Sequence, residues 1–189
     1  MVRSFSSEAL RPAALDGILG AALRSPTAGN TGGTAWIVLE GATETATYWN
    51  ATTDEAWRAR NPDRFAGLRR APIVLLSYGC PDAYAERYGE PDKDDAGLAG
   101  GDWPVPYWFG DAAFGVMAVL LAAVDAGLGA CFLGNFRGET ALALGLQVPN
   151  RWHLFGAVLL GRPDGHDRRS RSLDRAAPPP AQRIHRGRW

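Results

Sequence analysis

The C-terminal run His185-Arg186-Gly187-Arg188-Trp189 sets two arginines one residue apart. Side chains at i and i+2 of an extended chain leave on the same side. Two forked guanidinium donors converging on one point suit a phosphate. A solvated basic tail uses the same residues and stays open on spacing alone. A second candidate lies between Ser25 and Ala35, where nearly every residue is small or polar. Small side chains let backbone approach a ligand, and Thr27, Asn30 and Thr31 offer hydrogen bonds. A helix-to-strand connection ordinarily needs about 2–6 residues, so this one is longer than connection requires. A third is "GLGACFLGNF" from Gly127, whose amides near Gly134 can face a ring or an anion, or simply cap a helix and enter a strand. Trp103, Tyr107 and Trp108 are the fourth: aromatic faces stack planar molecules, unless Tyr107 and Trp108 only begin the next helix.

Side chains that perform chemistry unaided are missing. There is no G-x-S-x-G, no P-loop and no HExxH. The G-x-G at Gly127 follows a helix and leads into a strand, the reverse of a dinucleotide fingerprint. Two cysteines, Cys80 and Cys131, and three scattered histidines give no zinc spacing; both thiols sit in apolar runs and read as buried. Any redox or transfer chemistry here belongs to a cofactor. Lys+Arg and Asp+Glu are both 20, so broad electrostatic capture of nucleic acid or anionic membrane is not indicated. The N-terminus lacks the apolar core of a secretory signal. The most apolar run, 112–124, is shorter than the roughly 20 residues that span a bilayer. The expectation is a soluble, cytoplasmic protein without nucleic-acid or membrane partners.

The elements that must position these residues follow from pattern. Pro12 opens a helix whose Leu15, Ile18, Leu19, Ala22 and Leu23 mark one buried face, and Ser25-Pro26 ends it. Trp36–Glu40, Ile73–Ser77, Ala130–Leu133 and Leu154–Leu160 read as strands. Residues 42–70 hold two or three short helices, and Asp82–Tyr88 and Gly138–Leu144 one each. Phe109–Ala126 is apolar nearly all round and reads as the central, buried helix, stopped by Gly127 and Gly129. Residues 89–106 read as one long loop. After Gly161 the chain turns Arg- and Pro-rich and cannot build a core of its own. The division is therefore a core at 1–162 and an arm at 163–189.

In order along the chain, these pieces resemble the flavin-dependent nitroreductase family, in its short actinobacterial form. "RSFSSEALRPAALDGILGAALRSPTAGN" is similar to the family's opening, with Arg-x-Phe, a first helix and Ser-Pro-Thr-Ala-Gly-Asn. "RRAPIVLL", "GDAAFGVMAVLLAAVDAGLGACFLGNF" and "ALGLQVPNRWHLFGAVLLGRP" resemble its strand entry, central helix with Gly-Leu-Gly, and last helix and strand. The resemblance implies an α+β homodimer: a central mixed sheet flanked by helices, two FMN sites at the subunit interface and a C-terminal arm reaching onto the partner. It implies ping-pong hydride transfer from NADH or NADPH through flavin N5 to a nitroaromatic, quinone or related acceptor. Two relatives of that reading are an enzyme acting on a specific metabolite or using a deazaflavin, and an FMN-binding or storage protein without turnover.

Position by position, the resemblance sets Arg3 at the pyrimidine side of the flavin with Ser4 beside it. It sets Pro26, Thr27, Ala28 and Asn30 on the flavin of the other subunit, Leu133 and Gly134 at N5, and Arg186 and Arg188 on the phosphate. Trp103, Tyr107 and Trp108 are the substrate-side candidates. Two departures stand out. Met1-Val2 occupy the place of a family arginine before Arg3, which implies one phosphate or ribityl contact fewer. Gly32 and Thr34 replace a Gln and a Trp, which implies a roomier acceptor pocket.

Overall fold

The computed structural model describes residues 1–96, 103–167 and 170–189. Seven α-helices are present among them: α1 Pro12–Leu23, α2 Gly41–Thr52, α3 Glu55–Arg60, α4 Pro62–Arg69, α5 Pro81–Tyr88, α6 Tyr107–Asp125 and α7 Glu139–Gly145. Four strands, β1 Thr34–Glu40, β2 Ile73–Gly79, β3 Gly129–Leu133 and β4 His153–Gly161, form one sheet in the order β1-β2-β4-β3. The α+β class holds. The sheet, however, is not mixed: all three of its ladders are antiparallel. Each strand re-enters at the end opposite to both neighbours, because β4 is inserted between β2 and β3 and runs against each.

Alternation along the strands sorts side chains onto two faces. Leu39, Leu76, Cys131 and Leu159 face α2, α4 and α7, where Tyr48, Trp49, Leu68 and Leu142 complete one core. Val38, Leu75, Ala130 and Val158 face α1 and α6, where Ile18, Val116 and Val119 complete the other. β2 is buried along its whole length, and its sequence is correspondingly apolar apart from the buried Ser77. Both cysteines are buried free thiols. Burial pushes the Cys131 thiol up, against the opposing charges of Arg3 and Arg64.

The central helix departs from the expectation of full burial. Asp111, Ala112, Gly115, Val116, Val119 and Ala123 are buried, whereas Phe114, Met117, Leu121 and Val124 are 54–70% exposed. Their 3-4-3 spacing makes one stripe, so α6 carries a core face and a second apolar face that this chain does not cover. The helix is long and apolar enough to cross a membrane by length and composition; here it packs on α1 and all four strands.

The N-terminal residues are threaded into the body. Val2 N–H donates to Ala130 O at 3.0 Å, Phe5 N–H to Gly67 O at 3.3 Å and Ser6 N–H to Arg162 O at 2.8 Å. Phe5 is fully buried. This threading fixes where Arg3 stands. At the other end, residues 172–189 are exposed throughout, including Ile184 and Trp189.

Candidate functional site

The residues singled out from sequence gather into two groups. The first is built on the connection from α1 to β1. Because β1 begins at Thr34, this connection is Arg24–Gly33, with a 3-10 turn at Ala28–Asn30. Its backbone is held at several points. Ala28 N–H donates to Asp111 Oδ2 at 2.7 Å, and Arg87 Nε donates to Gly29 O at 2.9 Å. Thr27 Oγ1 accepts from Gly32 N–H at 3.0 Å, and Thr31 Oγ1 donates to Ala28 O at 2.6 Å. Gly29 adopts φ 63°, and a Cβ there would lie 2.7 Å from the Tyr88 ring; a Cβ at Gly33 would run into the Tyr84 ring. The small residues are thus required by two tyrosines of α5, not only by a ligand. Pro26 and Asn30 are exposed, and the Asn30 amide makes no side-chain bond among the described residues.

The three aromatic candidates join this group. Trp103 meets Tyr88 edge-on at 4.6 Å between ring centroids, Tyr107 at 5.6 Å and Tyr84 at 6.0 Å. Tyr107 and Trp108 do begin α6, and Trp108 also meets Tyr84 at 6.4 Å. Of the expected long loop at 89–106, residues 91–96 form a 3-10 stretch and residues 97–102 lie outside the described residues.

The second group surrounds a cleft of about 400 Å³ where β3 ends, between α2, α3 and α4. Leu133 and Gly134 line it together with Trp49, Arg64, Asn135 and Arg137. Two buried donors there have no partner among the described residues: Trp49 Nε1 and Asn135 Nδ2. Asn135 spends its carbonyl on the Tyr48 hydroxyl, which donates at 3.2 Å; burial pushes that hydroxyl up to about 12. Arg137 pairs with Asp54 at 2.7 Å. Phe136, at the mouth, is 95% exposed. Arg3 does not line this cleft but stands near α4 and β3. Its carbonyl lies against Gly67 of α4, and its charge acts on Cys131 with that of Arg64. Ser4 is placed differently from its expected neighbourly role. It is buried, donates to Asp164 Oδ2 at 2.8 Å and accepts from Arg70 at 3.1 Å, so its hydroxyl holds the chain together.

The two groups do not meet. β1 and β3 are the two edges of the sheet, separated by three ladders of about 4.8 Å each, or roughly 14 Å. They also lie on different faces: the loop is tied to α6, the cleft to α2 and α4. Arg186 and Arg188 meet neither group; they stand in the exposed tail without an ion pair among the described residues.

Sequence reasoning missed Asp111, Tyr84 and Arg87 on the first side and Arg64, Trp49 and Asn135 on the second. The one available signal was Asp111, a lone carboxylate at the start of an apolar helix.

The chain is thus an antiparallel sheet between helical layers, with a donor-rich cleft at one edge and an aromatic-backed loop at the other. The chain belongs to the Nitroreductase family, whose model matches residues 1–162. Its fold is similar to that of an FMN-dependent nitroreductase from Clostridium difficile R20291, with TM-score 0.66 at 18% identity over 100% of this chain and 94% of that one. It is also similar to a nitroreductase family protein from Streptococcus pneumoniae TIGR4, with TM-score 0.72 at 15% identity over 98% and 94%. A nitroreductase family protein from Clostridium novyi NT gives TM-score 0.65 at 21% identity over 87% and 80%. No curated protein matches the sequence significantly.

Proposed function

We propose that this chain is an FMN-dependent oxidoreductase that works as a homodimer, each FMN lying between the cleft of one subunit and the loop of the other. The observation that carries the reading is the separation of the two groups. A planar ligand contacting both within one chain would have to bridge roughly 14 Å, past the ends of β2 and β4, from one face of the sheet to the other. Two chains facing each other remove that obstacle. The uncovered stripe Phe114, Met117, Leu121 and Val124 on α6 supplies the apolar face such a pair would bury.

The cleft residues fit FMN. Trp49 and Asn135 hold N–H donors unpaired among the described residues and suited to flavin carbonyl oxygens, and an unpaired buried donor costs about 1–3 kcal/mol until a ligand satisfies it. Arg64 and Arg3 add positive charge where a reduced flavin gains negative charge. Leu133 and Gly134 would present backbone to the ring. Arg186 and Arg188 would hold the phosphate, brought in by an arm over 163–189 that covers Ile184 and Trp189 on the partner. From the other subunit, Pro26, Thr27, Ala28 and Asn30 would form a thin wall, and Trp103, Tyr107 and Trp108 an aromatic surface for a planar acceptor such as a nitroaromatic or quinone. Bound FMN supplies the redox chemistry: hydride from NADH or NADPH, then transfer to the acceptor in a second half-reaction. The chain's part is to bind, orient and desolvate both partners.

Purified protein titrated with FMN should give a yellow dimer, and anaerobic NADH or NADPH should bleach its visible absorbance. A colourless monomer indifferent to FMN contradicts the proposal. A yellow dimer that neither nicotinamide reduces leaves binding intact and contradicts the enzyme.

A further inference from the structure

We propose that Asp111 is a positioning residue for the ligand-facing loop, acting through a single carboxylate oxygen that anchors the Ala28 amide. This rests on the reading that the loop lines the flavin. Asp111 is only 4% exposed in the second turn of α6. It makes no ion pair among the described residues, so it is a buried carboxylate held by hydrogen bonds alone, an arrangement that is costly unless its acceptors are satisfied.

Its two donors come from two other elements. Ala28 N–H and the Tyr84 hydroxyl both donate to Oδ2, each at 2.7 Å. Burial, and then the Asp111 hydrogen bond, push the Tyr84 hydroxyl up, so it remains a donor. The carboxylate therefore joins α6, α5 and the loop at one atom. The loop residue it anchors is the first of the 3-10 turn Ala28–Asn30, which ends in the exposed Asn30 at φ 55°. Fixing the Ala28 amide fixes the direction in which that turn presents Pro26, Thr27 and Asn30. Arg87 holds the next carbonyl, Gly29 O, but its guanidinium also serves Glu90 and Asp92 in solvent. The buried tie at Asp111 is the one water does not compete for.

The experiment compares Asp111→Ala, Asp111→Asn and Ala28→Pro by amide hydrogen exchange without added FMN and by FMN titration. Asp111→Asn keeps an acceptor without the charge. Ala28→Pro removes the loop's donor and sets the ring Cδ where the hydrogen pointed, so that Asp111 Oδ2 must withdraw, and Thr27 at φ −128° and ψ 143° tolerates a following proline. The expected result is faster exchange over residues 27–33 in Asp111→Ala with β2 unchanged, FMN affinity lowered about tenfold or more, and rescue to within about threefold in Asp111→Asn. Ala28→Pro should lower affinity similarly, which serves if Asp111→Ala does not fold. Unchanged exchange in the loop overturns the proposal, as does unchanged FMN affinity where wild type binds. If wild type takes up no FMN, the functional reading fails separately; loop exchange alone then decides whether Asp111 is the anchor.

Discussion

The loop at Arg24–Gly33 and the cleft at Leu133–Arg137 are built in opposite ways. The loop is over-determined: Asp111 and Arg87 hold its backbone, while Tyr84 and Tyr88 fill the space beside Gly33 and Gly29. The cleft is under-satisfied: Trp49 Nε1 and Asn135 Nδ2 are buried without partners among the described residues, and Phe136 and the tail arginines stand in solvent. One region is finished as a rigid wall. The other holds unused donors that a bound ligand would satisfy. A site split between two chains needs both kinds: a wall that keeps its shape before the partner arrives, and a donor set whose reward comes only on binding.

The largest effect should come from the unfinished side. If Arg186 and Arg188 hold the phosphate as proposed, replacing both with Ala removes two charge-assisted contacts of about 1.5–3 kcal/mol each, and FMN affinity should fall by about 3–6 kcal/mol in a fluorescence titration. Unchanged affinity would assign the phosphate to other residues. Arg64→Ala should cost about 1.5–3 kcal/mol of FMN binding in the same assay, without a change in thermal stability of the FMN-free chain. A loss of stability instead would make Arg64 a structural residue of α4.

On the finished side, substitutions should act on stability first. Gly29→Ala combines a left-handed φ with a Cβ only 2.7 Å from Tyr88, and should destabilise the FMN-free protein by about 1–3 kcal/mol in thermal unfolding. A neutral result would show that Tyr88 swings away freely and that the wall is soft. The smallest effect concerns Asp164, which ties Ser4 and Arg70 together. Its carboxyl lies below its ordinary value, first through the His166 N–H, then through Ser4 and Arg70. A lowered folded value stabilises the fold above the ordinary carboxylate value, and that contribution is lost as pH falls through the folded value. Asp164→Asn should therefore lower stability slightly at neutral pH, flatten the acid limb of a stability–pH profile and converge with wild type at low pH.

Much of the frame was legible because it is local. Pro12 and Pro26 bracket α1, and the β-branched runs at 36–40, 73–77 and 154–160 all fall within strands. Leu133 and Gly134 were reachable because a glycine-rich exit from an apolar helix is local as well. The ties that build the loop were not, because Asp111 is 83 residues from Ala28 and Tyr84 is 27 from Asp111. Arg64, Trp49 and Asn135 come from segments whose chemistry shows only once α2, α4 and β3 converge. The exposed stripe on α6 was hidden for another reason: an apolar face covered by its own core and one left for a partner have the same residues. The antiparallel sheet was missed because strand direction depends on where each connection returns, which short apolar runs do not record.

The central claim is that the loop and the cleft of one site belong to different chains. Mixed dimers test it most directly. Ala28→Trp blocks the loop side with a bulky ring, and Arg64→Glu spoils the cleft side; each homodimer should fail to hold FMN. In a dimer carrying one chain of each, one site collects both defects and the other collects neither. Purified through two different tags, that mixed dimer should bind close to half the FMN of wild type and recover a comparable share of NADH-dependent bleaching. A mixed dimer as empty as its parents would place both regions on one chain's flavin and contradict the account.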